Sequence, residues 1–177
     1  MVKEIIVFRY GHREVRDYRV TSHCSMVARA FGASKIIVCG EKDASMKKSV
    51  DDITTRWGGP FKVEFVNEWE KELVKLQEKN FVLVHLTMYG EQIHKKEADI
   101  KKADKICIII GSQKVERDVY KLSNYNISVT NQPHSEIAAL AVVLDRLQDG
   151  KELEKKFRTA KREIIPQERG KKVISLK

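Results

Sequence analysis

The sequence predicts an α/β protein: a parallel sheet with helices on both faces. Three observations carry this. Short, nearly continuous apolar runs recur along the chain, as in Glu4-Ile5-Ile6-Val7-Phe8 and Lys105-Ile106-Cys107-Ile108-Ile109-Ile110. Strands that apolar are buried on both faces, as in sheets covered by helices on both sides. Longer polar or amphipathic stretches separate the runs, giving the alternation of strand and helix that parallel sheets require. Turn residues such as Gly32, Gly58-Gly59-Pro60 and Gly111 punctuate the alternation.

The elements follow in order. Glu4 to Phe8 is a buried strand. Arg9 to Arg19 reads as a non-helical, basic stretch, and Val20 to Phe31 as a helix ended by Gly32. Lys35 to Cys39 is a second strand. Asp43 is placed to cap a polar helix running towards Arg56. After Gly58-Gly59-Pro60, Phe61 to Val66 alternates in strand fashion, and Asn67 is expected to cap a helix with Trp69, Leu73 and Leu76 on one face. Phe81 to Leu86 is a strand, Glu91 to Lys102 a polar helix, and Lys105 to Ile110 the most buried strand. Val115 to Leu122 is a short helix, Asn126 to Val129 a strand, and Pro133 to Leu147 a long helix. No linker composition appears before about residue 150, which predicts one domain over 1–150 and a basic C-terminal extension over 151–177.

Composition narrows the function. The net charge is +9, from 34 Lys and Arg against 25 Asp and Glu, and it is unevenly placed. One cluster holds Arg9, His12, Arg13, Arg16 and Arg19; another is the tail from Lys155 to Lys177, with Lys155, Lys156, Arg158, Lys161, Arg162, Arg169, Lys171 and Lys172. Such clusters suit a polyphosphate backbone, because each neutralised phosphate releases counterions. Arg9, Arg13, Arg16 and, in the tail, Lys161, Arg162, Arg169, Lys171 and Lys172 are the candidate RNA contacts. No run of about 18 apolar residues is present, which excludes a transmembrane helix. Met1-Val2-Lys3-Glu4 lacks the pattern of a secretory signal. Cys24, Cys39 and Cys107 form neither a paired metal spacing nor an even disulfide set, so no metal is expected and the compartment is a reducing cytoplasm.

Ligands of open parallel sheets sit at the carboxyl ends of the strands. The exits to search are Arg9 to Arg13, Leu86 to Gly90, Gly111 to Val115, and Thr130 to Pro133. There is no G-x-G-x-x-G turn and no P-loop, so the usual dinucleotide and nucleoside-triphosphate cradles are absent. Asn131-Gln132-Pro133-His134-Ser135-Glu136 is a polar loop that opens straight onto an apolar helix, where unpaired backbone N–H groups await a ligand or a cap. Met88 and Tyr89 fit packing against a ligand and packing into the core equally well.

The same residues carry a resemblance. Arg9-Tyr10-Gly11-His12-Arg13-Glu14-Val15-Arg16-Asp17-Tyr18-Arg19-Val20-Thr21 resembles the opening signature of the archaeal tRNA cytidine 2′-O-methyltransferases, and Ala28-Arg29-Ala30-Phe31-Gly32-Ala33 continues it. Val84 to Gly90, Asn131 to Ala141 and Pro166 to Lys172 match later blocks in order, over essentially the whole chain. The family belongs to the SPOUT class of S-adenosylmethionine-dependent RNA methyltransferases. The resemblance implies a C-terminal trefoil knot, a homodimer, and methylation of the ribose of a T-loop cytidine, tRNA position 56. It assigns the cofactor to Leu86 and Thr87, to Gly111, Ser112, Gln113, Lys114 and Val115, and to Val129, Thr130, Asn131, Gln132, Pro133, His134, Ser135 and Glu136. Gln113 stands where members commonly carry glutamate, which leaves backbone contacts but removes a carboxylate.

Methylation of a ribose requires the 2′-hydroxyl to lose its proton, and a positioned base contributes roughly 10²–10⁴-fold. Related ribose methyltransferases use an arginine near the start of the chain; Arg19 is the first candidate, with Arg16 and Arg9 as competitors. Arginine stays protonated, with a pKa above about 12, so it could equally bind phosphate or stabilise the forming alkoxide. His12, with an ordinary value of about 6.5, is the alternative base. His23, His85 and His94 read as helix, core and surface histidines. A non-catalytic RNA-binding dimer is the alternative function. A flavodoxin-type oxidoreductase is a third, disfavoured by the basic tail and the missing phosphate cradle.

Overall fold

The computed structural model describes residues 2, 4–112 and 114–176. The chain runs β1 (Glu4–His12), α1 (Glu14–Ala30), β2 (Lys35–Gly40), α2 (Ala44–Trp57), β3 (Lys62–Val66), α3 (Trp69–Glu78) and β4 (Phe81–Gln92). It continues with α4 (Ile93–Ile100), β5 (Lys105–Gly111), α5 (Arg117–Leu122), β6 (Tyr125–Ser128) and α6 (Glu136–Gln148), then a 3₁₀ turn (Lys151–Glu154), β7 (Arg162–Ile164) and β8 (Val173–Ser175).

Six strands form one sheet in the order β3-β2-β1-β5-β4-β6, with each adjacent pair parallel. Alternation along β1 sorts its side chains between two cores. Ile5 and Val7 pack with Cys24 and Ala28 of α1 and Leu140, Val143 and Leu144 of α6. Ile6, Phe8 and Tyr10 pack on the other face with Leu73 and Leu76 of α3 and Val119 of α5. This two-sided burial is what the continuous apolar runs predict. Among the described residues no helix is long and apolar enough to cross a membrane.

Several boundaries differ from the sequence expectation. The stretch Arg9–Arg19 is not irregular: β1 continues to His12 and α1 begins at Glu14. The reason is local. Asp17 reaches back to accept from the Arg13 backbone N–H and from Arg13 Nε, both at 3.0 Å, closing the first turn. Burial works against the charge on Asp17, but these bonds from Arg13 hold its carboxyl below the usual carboxylate range. Asp43 caps α2 as expected, accepting from Met46 N at 2.8 Å. Asn67 does not cap α3; Glu68 occupies that position and makes no side-chain cap bond. Pro133 and His134 stay outside α6, which starts at Glu136 with Ser135 Oγ accepting from Ile137 N at 3.1 Å.

Two features had no counterpart in the sequence pattern. β4 does not stop at Leu86: it leaves the sheet and re-enters it, so that Leu86 and Glu91 both lie opposite Ile127 of β6. The C-terminal residues form an antiparallel hairpin, β7 with β8, docked on the α2 end of the molecule. Lys161 N donates to Arg56 O and Gly59 N to Arg158 O, both at 3.1 Å, and the Arg29 guanidinium lies 4.8 Å from the centre of the Phe157 ring.

Candidate cofactor and RNA site

A cavity of about 380 Å³ opens where β4 leaves the sheet after Leu86 and at the carboxyl ends of β5 and β6. It lies where strand order departs from sequence order, with β5 between β1 and β4, the usual ligand position in such sheets. Leu86, Thr87, Gly111, Lys114, Val115, Val129, His134 and Glu136 line it. These residues come from all three loops that the resemblance assigns to the cofactor.

The other assigned residues sit beside the cavity. Ser112 turns away: its Oγ donates to Tyr10 O at 2.9 Å and makes a short bond to Gly11 O. Asn131 braces the opposite wall, its Nδ2 donating to Met88 O at 2.7 Å and Gly90 O at 3.3 Å. Ser135 is spent on capping α6. Thr130, Gln132 and Pro133 share the loop without lining the cavity. Gln113 lies outside the described residues.

The lining also includes residues that sequence reasoning left out, among them Ile110, Tyr120, Ile127 and Ala139. They are ordinary core types in ordinary positions, and nothing in the pattern marks them. His85, read as core, is buried and also forms the cavity floor. Its ring packs edge-on to Tyr120 at 4.6 Å, and its Nδ1 pairs with Asn126 Oδ1 at 2.9 Å. Burial pushes its pKa down, against that hydrogen bond, so the ring is neutral at neutral pH. The Tyr120 hydroxyl lies 3.1 Å from Thr87 Oγ1 and ties α5 to the β4 loop.

Behind the cavity lies a buried polar cluster. Arg9 is 1% exposed. The expectation that it faces RNA gives way to an internal role, because its strand carries it into the interior. Its Nη1 donates to Gly111 O at 2.8 Å and lies 3.8 Å from Glu136 Oε1. Its Nε donates to Thr21 Oγ1 at 3.3 Å. Having accepted from Arg9, the Thr21 hydroxyl is free to donate to His12 Nδ1, 2.9 Å away. The His12 proton then sits on Nε2, which faces Asp43 Oδ2 at 3.6 Å with both side chains fully buried. That distance is an electrostatic contact, too long for a hydrogen bond. Burial pushes the His12 pKa below its ordinary value, against the pull of Asp43. His12 therefore ends a strand and is closed to solvent, not part of an irregular basic stretch.

The remaining basic candidates are outside. Arg16 and Arg19 are exposed on α1, and Arg13 is half-buried against Asp17. Arg19 borders a smaller hollow between α1 and α2, with Tyr18 and His23, and is not in the lining of the large cavity. Lys161, Arg162, Arg169, Lys171 and Lys172 are all exposed on the hairpin and the loop that joins its strands.

A family model described as tRNA ribose 2′-O-methyltransferase, aTrm56, matches residues 57–174. The chain is 50% identical to the tRNA (cytidine(56)-2′-O)-methyltransferase of Thermococcus kodakarensis, over 99% of each chain. It is 51% identical to the protein of the same name from Pyrococcus horikoshii, over 97% of this chain and 85% of that one. Among solved structures, the A. aeolicus TrmH/SpoU tRNA modifying enzyme superposes with a TM-score of 0.65 at 14% identity, covering 86% of this chain and 77% of that one. The SpoU methyltransferase AviRb from Streptomyces viridochromogenes, in complex with AdoMet, gives 0.60 at 15% identity, covering 83% and 57%. At such identities the structural likeness concerns the fold.

Proposed function

The chain belongs to the tRNA ribose 2′-O-methyltransferase family, and on that premise we propose that it methylates the ribose 2′-oxygen of cytidine 56 in the T-loop of tRNA, using S-adenosylmethionine. The observation that carries this reading is the three-loop cavity at the crest of the sheet. The residues present fit the cofactor. The cavity's volume is that of a small-molecule site, and its walls at Leu86, Ile110, Val129 and Ala139 suit an adenosyl group. Glu136 supplies a carboxylate to a ligand that bears positive charge, and the absence of a phosphate cradle suits a cofactor that has no phosphate.

When bound, the cofactor supplies an electrophilic methyl group on sulfonium. The chain's own task is to hold that group, align a ribose with it and accept or guide the 2′-hydroxyl proton. Arg9 fixes the Gly111 carbonyl and approaches Glu136, keeping the β5 exit and the start of α6 in register. Arg19 is proposed as the residue acting at the 2′-oxygen, with Arg16 next to it in rank. His12, being buried, would serve by ordering Thr21 and Arg9 rather than by touching substrate. Because Arg19 lies outside the cavity lining of its own chain, a homodimer that brings α1 of one copy to the cavity of the other is the arrangement proposed. The C-terminal trefoil knot of the SPOUT class and a cytoplasmic location belong to the same reading. Residues 1–150 would form the methyltransferase domain, and the basic extension over 151–177 would grip tRNA through Lys161, Arg162, Arg169, Lys171 and Lys172.

The test is to incubate the protein with radiolabelled cofactor and unmodified tRNA transcript and map ribose methylation. Label at position 56 is expected; no incorporation there rejects the substrate. Calorimetry with S-adenosylmethionine alone then separates a protein with another RNA target, which binds it, from a non-catalytic RNA-binding dimer, which does not.

A further inference from the structure

Between Leu86 and Glu91, β4 makes a four-residue excursion out of the sheet, both ends facing Ile127. That excursion carries Tyr89, 80% exposed, at the rim of the large cavity. An exposed ring on a mobile loop would mean little, but this backbone is held by side chains of the loop after β6 and of β6 itself. Asn131 Nδ2 donates to Met88 O at 2.7 Å and to Gly90 O at 3.3 Å, and Ser128 Oγ donates to Gly90 O at 3.1 Å. The Tyr89 N–H points at Thr87 Oγ1 at 3.4 Å. Gly90 lies so close to the Asn126 backbone that an added Cβ would sit 2.5 Å from its carbonyl, so the excursion cannot shift inwards.

We infer that Tyr89 is a stacking platform for an unpaired nucleobase of the RNA substrate, held at the mouth of the cavity. The inference rests on the tRNA reading above. Loop bases of RNA are recognised by stacking on aromatic side chains, a contact every base can make through its π-face. A ring held on a fixed backbone has little freedom left to lose when a base covers it. The cofactor's adenine is a poorer occupant: the cavity already has an apolar lining of its own at Ile110, Val129 and Ala139, whereas most of the Tyr89 surface lies in solvent. A net charge of +9, with the Lys161–Lys172 cluster exposed, favours a phosphate-bearing partner over an apolar protein surface.

The experiment compares full-length wild type with Tyr89→Ala, Tyr89→Leu, Tyr89→Phe and Tyr89→Trp. It measures KM and Kd for unmodified tRNA, Kd for S-adenosylmethionine and sedimentation. Tyr89→Ala and Tyr89→Leu are expected to raise tRNA Kd and KM by about 5- to 150-fold, with cofactor Kd and oligomeric state unchanged. The Phe and Trp variants should remain within a few-fold of wild type. Unchanged tRNA affinity in Tyr89→Ala overturns the platform. A loss confined to cofactor binding reassigns the ring to adenine, and a change in sedimentation alone reassigns it to a contact between copies; both overturn the inference. A wild-type protein that binds neither cofactor nor tRNA brings down the underlying reading, whereas one that binds both, with a silent Tyr89→Ala, brings down the platform alone.

Discussion

Arg9 Nη1 donates to the carbonyl oxygen of Gly111 across 2.8 Å, although 102 residues separate the two in the chain. The bond joins the last third of β1 to the end of β5, and the same guanidinium approaches Glu136 at the start of α6. One buried cation thus spans two of the three loops of the proposed cofactor cavity, and removing it takes the Arg9 donor away from the part-buried Gly111 carbonyl.

Replacing Arg9 with Met is therefore expected to lower stability by about 2–3 kcal/mol, the size of a lost charged hydrogen bond with its partner left unsatisfied. Cofactor affinity should fall as well. Arg9→Lys retains the charge but not the fork geometry and should recover only part of either. Denaturant unfolding and calorimetry on both variants give the two readouts.

The pH dependence has a definite sign. Burial lowers the folded-state pKa of His12 and His85, so below about pH 6.5 the unfolded chain takes up protons that the folded chain refuses. The stabilising contribution is complete above that pH and is lost as pH falls towards the folded-state values. Each histidine should impose a slope of up to about 1.4 kcal/mol per pH unit in that window. Unfolding curves at pH 7.5 and 5.5 should show a smaller drop in His12→Gln than in wild type.

Arg19→Ala is expected to abolish methyl transfer while leaving S-adenosylmethionine affinity within about twofold, since Arg19 lies outside the cavity lining. Arg16→Ala should reduce turnover less. Rates under single-turnover conditions, paired with calorimetry, distinguish the two; full turnover in Arg19→Ala would move the role to Arg16.

Neutralising Lys171 and Lys172 together should weaken tRNA binding without altering cofactor affinity. If each contacts one phosphate of single-stranded or loop RNA, the slope of log K against log salt should shrink by about 0.7 per residue. Filter binding across a salt series measures it, and an unchanged slope would remove the hairpin loop from the RNA contact.

The sheet was legible because its strands are buried on both faces, so Ile106 to Ile110 and Ile36 to Cys39 announce themselves through apolar continuity alone. The start of α2 was legible because its cap, Asp43, is adjacent; α6 starts at Glu136 and not at the expected Pro133, and the start of α1 at Glu14 was hidden by charge density. The strand exits pointed to the cavity, and family blocks narrowed it to three loops. The burial of Arg9 could not be read, since its partners at Gly111 and Glu136 are brought to it only by tertiary structure. The same holds for the β7–β8 hairpin, whose strands are three residues each and carry little pattern.

The double use of Ile127 by Leu86 and Glu91 has a consequence for how this wall can change. Strand pairing resumes where it paused, so residues 87–90 behave as an insert within a strand and place no demand on sheet register. A longer or shorter insert would reshape the cavity mouth while the alternation of β4 on either side stayed in phase. The rim can therefore vary almost independently of the scaffold that carries it, limited only by the need for a small residue where Gly90 meets Asn126.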